Sequence, residues 1–257
     1  MRFSDLHLAL GGFGALLAVV IVYLVRAFLK GRARHSRTDL DGGSVFLSKA
    51  VMEIGYWLAE PLVGGLVALR ITPAMITVFS LVPALLAGVA VALGWFALAG
   101  LLGALASLCD VLDGLVARRT GVASDAGEAL DAAVDRYSEF LFLAGVAVYY
   151  RTNVKCLLLT LAAMFGGFMV SYTTAKAEAM NVAPPRGTMR RPERAVYLFM
   201  AAALTAVTKA LWGDSISLVL REFPIIFVLA LVATVTNAST VTRFRAIIEA
   251  LHARRPA

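Results

Sequence analysis

Residues 110–135 read DVLDGLVARRTGVASDAGEALDAAVD, and the placing of four of their five aspartates decides the fold. Asp110 and Asp113 are three apart and Asp131 and Asp135 four apart, so each pair lines one face of a helix. Gly114 directly follows the first pair, and Gly127 stands one turn ahead of the second. Two such helices packed antiparallel gather four carboxylates around one point flanked by glycines. The flanking segments, GLLGALASLC and YSEFLFLAGVAVYY, are strongly apolar. Carboxylates in such surroundings need a counter-ion. Oxygen donors without His or Cys suit a hard cation such as Mg²⁺ or Mn²⁺. Cys109 adjoins Asp110, but neighbours on a helix point about 100° apart, so it reads as packing.

The composition places these helices in a bilayer. Hydrophobic residues make up 60% of the 257 and charged residues 16%, with a mean hydropathy of +0.81, well above a soluble domain. Apolar runs near 8–29, 73–93, 95–117, 129–150, 153–175, 193–212 and 223–242 reach the roughly 20 residues that cross a hydrocarbon core. The first is too long for a signal peptide, and Arg26, Lys30, Arg32 and Arg34 follow it in place of a small-residue cleavage site, so it reads as a retained anchor. Residues 38–72 differ. After the turn-forming TDLDGGS, with Ser44 a candidate N-cap, Lys49, Glu53 and Glu60 interrupt the apolar pattern. The segment suits a helix lying in the interface with Tyr56 and Trp57 at headgroup level. The chain then divides into an anchor with a basic flank (1–37), an interfacial region (38–72), a six-span catalytic domain (73–247) and a basic tail (248–257).

The net charge of +7 is unevenly spread. Basic residues cluster at 26–37, at Arg118 and Arg119, at 176–194 and from 243 onward. Seven spans with the N-terminus outside place all four clusters on the cytoplasmic side, as the positive-inside rule requires. The aspartates then lie near the cytoplasmic face of the cell's inner membrane. Orientation and attraction to anionic lipid account for most of the basic excess; nucleic-acid binding is not expected with so little soluble surface. Two cysteines imply no disulfide framework, and three scattered histidines argue against a zinc site.

The pattern D-x2-D-G-x2-A-R-x8-G-x3-D-x3-D, filled here from Asp110 to Asp135, resembles the signature of the CDP-alcohol phosphotransferase family. The resemblance implies an all-α integral membrane fold: six spans preceded by an interfacial juxtamembrane helix. The N-terminal span is an addition that it does not cover. It implies transfer of a substituted phosphoryl group from a CDP-linked donor, CDP-diacylglycerol here, to a small polar alcohol with release of CMP. It implies two Mg²⁺ or Mn²⁺ ions held by Asp110, Asp113, Asp131 and Asp135, with Asp135 doubling as general base. It further implies a CDP site at Gly114, Ala117, Arg118, Ser124, Gly127 and Thr77, although Ala74 stands where relatives often carry Asn or Asp. Relatives also form homodimers through their spans.

For the acceptor, SYTTAKAEAMNV and RRPERAVYLFM are similar to the inositol-phosphate-using branch of the family. The resemblance implies a basic acceptor pocket at Lys176, Arg191 and Arg194, with Thr174 where relatives have lysine. Arg190, Arg191 and Arg194 are equally accounted for by topology and a helix start at Pro192. Glycerol phosphate, serine, or a CDP-aminoalcohol donor with a lipid acceptor stay open. The second aspartate pair lacks the proline usual in glycerophosphate-using relatives. A transporter would not require Gly114, Ala117, Arg118 and Gly127, and intact aspartates oppose a catalytically dead scaffold.

Overall fold

Glycine and proline punctuate this chain into membrane-length helices. The computed structural model describes residues 2–31, 49–183, 188–213 and 215–254, among which there are helices and turns but no strand. The elements are α1 (Arg2–Lys30), α2 (Lys49–Ala68), α3 (Pro73–Phe79), α4 (Leu81–Ala92), α5 (Phe96–Thr120), α6 (Asp125–Tyr149), α7 (Val154–Ala179), α8 (Arg191–Trp212), α9 (Leu218–Arg221) and α10 (Phe223–His252). Among the described residues, six stretches are long and apolar enough to cross a membrane: Ser4–Leu29, Pro73–Ala92, Phe96–Thr120, Val154–Ala179, Arg191–Trp212 and Phe223–His252. The chain is a multi-pass membrane protein. The span expected at 129–150 corresponds to α6, whose 25 residues measure about 37 Å. It is not among the six because its first fifteen residues carry Asp125, Glu128, Asp131, Asp135, Arg136 and Glu139. Asp125 and Glu128 are exposed at its start, whereas Asp131, Asp135, Arg136 and Glu139 are half-buried where α6 packs in the bundle.

The two aspartate helices meet only near their connecting turn. Gly121 ends α5 with a left-handed φ of 70°, a conformation cheap for glycine, and the chain re-enters helix at Ser124. Beyond that turn, α4 packs against both helices and holds them apart. The α4–α6 crossing allows no side chains: a Cβ on Gly145 would run into the Gly88 carbonyl, and one on Gly88 into the Leu141 carbonyl. Small residues at such crossings let membrane helices approach closely, which there replaces the hydrophobic drive of water-soluble cores. A core including Ala87, Val91, Phe96, Phe142, Leu143, Val146, Leu198, Ala202, Leu229 and Val232 fills the bundle.

The additional N-terminal helix is fastened at both ends. Near its start, Asp5 Oδ1 accepts from the backbone N–H groups of Ala97 (3.1 Å) and Leu98 (3.4 Å), capping α5, whose own N-cap residue Trp95 makes no side-chain cap. Near its end, Tyr23 donates to Glu53 Oε2 of α2 at 2.9 Å and meets the Trp57 ring edge-on at 5.6 Å. Between these points α1 packs on α5 and α8. In turn, α2 seats Ala59 and Val63 against Cys109, Leu112, Leu115 and Val116 of α5, so Cys109 packs as expected. The expected Ser44 cap, the TDLDGGS turn and Arg32, Arg34, Arg37 and Arg186 lie outside the described residues.

At the far end of α6 from the aspartates sits a second buried polar group. Glu222, fully buried, accepts from Tyr149 Oη at 2.7 Å and Arg221 Nη2 at 3.0 Å, with Lys209 Nζ at 3.6 Å. Lys209 also lies over the Phe96 ring, 4.5 Å from its centroid. A buried carboxylate is costly unless cations and donors meet it; here they meet Glu222 Oε1, and the cluster ties α6, α8 and α9 together.

Candidate active site

Asp110, Asp113 and Asp131 each turn one carboxylate oxygen toward a common point, these atoms lying within 4.8 Å of one another. Helical spacing puts Asp110, Asp113, Gly114 and Ala117 on one side of α5, and the short turn brings the start of α6 back beside them. Ser124 sets that start: its side chain accepts from Gly127 N at 3.2 Å, a helix N-cap. Asp113 is buried, and Thr77 Oγ1 of α3 donates to its Oδ2 at 2.6 Å and also to the Pro73 carbonyl at 3.0 Å. Three converging carboxylates with no nitrogen or sulfur ligand fit a hard divalent ion and exceed what nearby cations balance.

Asp135 is turned elsewhere. It forms an ion pair with Arg191 Nη1, the same nitrogen that lies 3.3 Å from Asp110 Oδ2. One helical turn on, Arg194 Nε and Nη2 donate to both oxygens of Glu139 at 2.6 and 2.8 Å, and Arg194 Nη1 donates to the Met189 carbonyl at 3.1 Å. Register explains both contacts: Asp135 and Glu139 are four apart on α6, Arg191 and Arg194 three apart on α8, so the helices meet in a two-rung ladder. The rungs differ. Side chains of the inner pair are 1% and 8% exposed, those of the outer pair 16% and 17%. Beside the outer rung a cavity of about 30 Å³, near the volume of one water molecule, reaches Ser107, Ser138, Glu139 and Arg191.

The remaining expected residues fall into place unequally. The Arg118 guanidinium folds back over Gly114, where a Cβ would stand 3.2 Å from Arg118 Nη1. Ala117 is half-buried beside them, and Ser124 and Gly127 are exposed at the mouth. Thr77 was expected to face nucleotide; its hydroxyl is instead committed to Asp113 from behind. Arg194 was expected to meet the acceptor, but all three of its nitrogens are engaged by Glu139 and Met189 and it is buried, so it positions its neighbours. Lys176 is half-buried on the last turn of α7.

Two groups absent from the expected set belong to the site's surroundings. Glu139 is the inner rung, and its four-residue offset from Asp135 was visible in the sequence. Arg243 was not, being about seventy residues from its partners. It reaches from α10 into α7, where its Nη1 donates to Thr174 Oγ1 at 2.6 Å and to the Val170 carbonyl at 3.3 Å. It is buried, with Nε unpartnered, and interacts electrostatically with Arg190 and Arg194. A cation therefore stands beside Thr174 after all, supplied by another helix.

Residues 70–236, spanning every element of this site except the end of α10, match the family model for CDP-alcohol phosphatidyltransferase. The chain belongs to the CDP-alcohol phosphatidyltransferase family. An archaetidylinositol phosphate synthase from Pyrococcus horikoshii is 36% identical over 143 residues, 55% of this chain and 74% of that protein. Among solved structures, Mycobacterium tuberculosis phosphatidylinositol phosphate synthase with manganese and citrate superimposes with a TM-score of 0.65 at 21% identity, over 74% of this chain and 88% of the other. The same enzyme with CDP-DAG bound gives 0.63 at 21% identity, over 74% and 92%. As a CDP-alcohol phosphatidyltransferase, this protein is a transferase of phospholipid synthesis, and its three converging carboxylates suit a hard divalent cation.

Proposed function

We propose that this phosphatidyltransferase moves the phosphatidyl group of CDP-diacylglycerol to an inositol phosphate, releasing CMP. The observation that carries the transfer is the convergence of Asp110, Asp113 and Asp131, with Asp135 held beside them on Arg191. Two divalent ions held there neutralise the diphosphate and stabilise the leaving phosphate. Gly114 and Ala117 leave the α5 backbone open to the nucleotide, and Arg118 holds diphosphate oxygens. Ser124 and Gly127 lie at the cytidine side, while Thr77 acts through Asp113. The acceptor hydroxyl gives its proton to Asp135 as its oxygen bonds to the lipid-bearing phosphorus, and CMP leaves with the electrons of the broken P–O bond.

The acceptor assignment rests on cations. Arg191 at the aspartates and Arg243 behind Thr174, with Lys176 two residues further along α7, suit a phosphorylated polyol, whose dianion the aspartates would otherwise repel. The names of the relatives agree with that chemistry. The basic clusters favour an active site on the cytoplasmic side of the inner membrane, and pairing of two copies through their spans is part of the same reading. Offering CDP-diacylglycerol with inositol phosphate, glycerol phosphate and serine separately, and weighing the lipid product, tests it. A phosphatidylinositol phosphate product is expected; product from serine alone would overturn the acceptor.

A further inference from the structure

Arg191 occupies an unexpected place for an acceptor-binding residue. Besides lining the small cavity, it lies on Asp135 and within 3.3 Å of Asp110, two of the four carboxylates on which the reaction depends. The neighbouring rung shows why it cannot drift far. Arg194, three residues on, is clamped bidentately to Glu139 in a sealed site, which fixes the first turn of α8 against α6. Arg191 is left as a tethered arm with a short range: one nitrogen contacts both carboxylates, and the pair is partly open to solvent.

A bond of this kind is exchangeable. A phosphate dianion offers three oxygens and more charge than a carboxylate, and guanidinium groups take phosphate bidentately. Arg136, next along α6, has a buried Nη1 without a protein partner and interacts electrostatically with Asp135, Glu139, Arg191 and Arg194. An anion arriving at the Arg191 side therefore meets a second cation already turned inward.

We propose that Arg191 is a guard on Asp135, drawn off by the anionic group of the acceptor so that Asp135 becomes available only when the acceptor is in place. The proposal rests on the acceptor's being anionic, as read above. Its value to the reaction follows from water. Were Asp135 always available, it could deprotonate a water molecule, whose oxygen would bond to the lipid-bearing phosphorus while CMP left, giving phosphatidic acid and wasting the donor. A guanidinium on Asp135 withholds the base until a hydroxyl better than water has been delivered. The same contact makes Arg191 a competitor of divalent ions for Asp110 and Asp135.

The test uses full-length protein in detergent with three measurements. Mn²⁺ binding followed by electron paramagnetic resonance, without nucleotide, should tighten about 10-fold in Arg191→Gln, the scale of one charge-assisted hydrogen bond; Arg191→Lys, retaining charge but not the fork, should fall between. CMP release from CDP-diacylglycerol without acceptor should rise about 10-fold in Arg191→Gln. Sulfate, a dianion with no hydroxyl to receive the phosphatidyl group, should raise CMP release several-fold in the parent and leave Arg191→Gln unchanged. The parent's sulfate response needs no variant to fold, and its absence would overturn the exchange. Folded Arg191→Gln with the parent's Mn²⁺ affinity and the parent's CMP release would overturn the guard whatever the acceptor. Failure of the inositol phosphate reading looks different, since it shows in the mass of the lipid product.

Discussion

Thr77 Oγ1 and Asp113 Oδ2, 36 residues apart in sequence, lie 2.6 Å apart and join α3 to the aspartate helix. Both are buried, so this hydroxyl is a principal restraint on which way Asp113 turns its oxygens. Thr77→Ala should weaken Mn²⁺ binding and lower kcat together, by about 10-fold or more, because a hydrogen bond to a charged group contributes roughly 1.5–3 kcal/mol. Thr77→Ser should retain most of both. Titration of Mn²⁺ by electron paramagnetic resonance reads the first effect, and loss of CDP-diacylglycerol binding with metal affinity intact would return Thr77 to the nucleotide.

Chelation should abolish transfer, and excess Mg²⁺ or Mn²⁺ should restore it. The converging oxygens of Asp110, Asp113 and Asp131 repel one another, so single Asn variants at these positions should each lose most activity, and combining two should cost less than the product of the separate losses. Full turnover in excess chelator is the contrary result.

Asp135→Asn keeps the shape of the side chain and removes the proton acceptor. The rate with saturating acceptor should fall at least about 10²-fold, the usual scale for a general base, with CDP-diacylglycerol binding retained. Glu139, one turn on, offers no substitute because both of its oxygens are held by Arg194. Near-parent turnover in Asp135→Asn would place the base outside this ladder.

Arg243→Ala should raise the KM for inositol phosphate about 10- to 100-fold, as expected for a lost charge-assisted contact, while the KM for CDP-diacylglycerol changes little. Steady-state kinetics with each substrate varied in turn separates the two. Equal shifts in both constants would make Arg243 a packing residue between α7 and α10.

Gly145→Ala should destabilise the bundle by about 1–3 kcal/mol, the range for an overpacked site, because the new methyl would run into the Gly88 carbonyl. A lower Tm in detergent with metal affinity per folded molecule preserved is the expected signature. An unchanged Tm would mean that the α4–α6 crossing relaxes freely.

The aspartate motif was legible because its chemistry sits within 26 residues at helical spacing, where periodicity alone fixes which groups share a face. Six of the seven expected spans were legible for the same reason, hydropathy being local. What sequence could not supply was the partner of each charge. Arg194 and Arg191 looked alike as cations of a basic loop, yet only the α6–α8 register makes one a sealed strut and the other an open contact. Arg243 read as part of a basic tail because nothing near it in sequence announces Thr174. Thr77 was recognised as part of the site, but its direction depends on where α3 lies against α5. Periodicity locates faces, and pairing of faces is a property of the folded chain.

The cap that Asp5 places on α5 has a consequence for how the protein is made. Its acceptor oxygen and the Ala97 amide are 92 residues apart. At about 5–20 residues per second of synthesis, α1 enters the bilayer roughly 5–20 s before the helix whose end it closes exists. During that interval Asp5 depends on water at the membrane surface, and of the helices that later hold α1 only α2, through Tyr23 and Glu53, has been made. The helix bearing Asp110 and Asp113 then arrives to find its terminating carboxylate already waiting. A ribosome-stalling series along the 73–120 segment would detect that meeting as a late gain in protease resistance of α1, one that Asp5→Ala delays or removes.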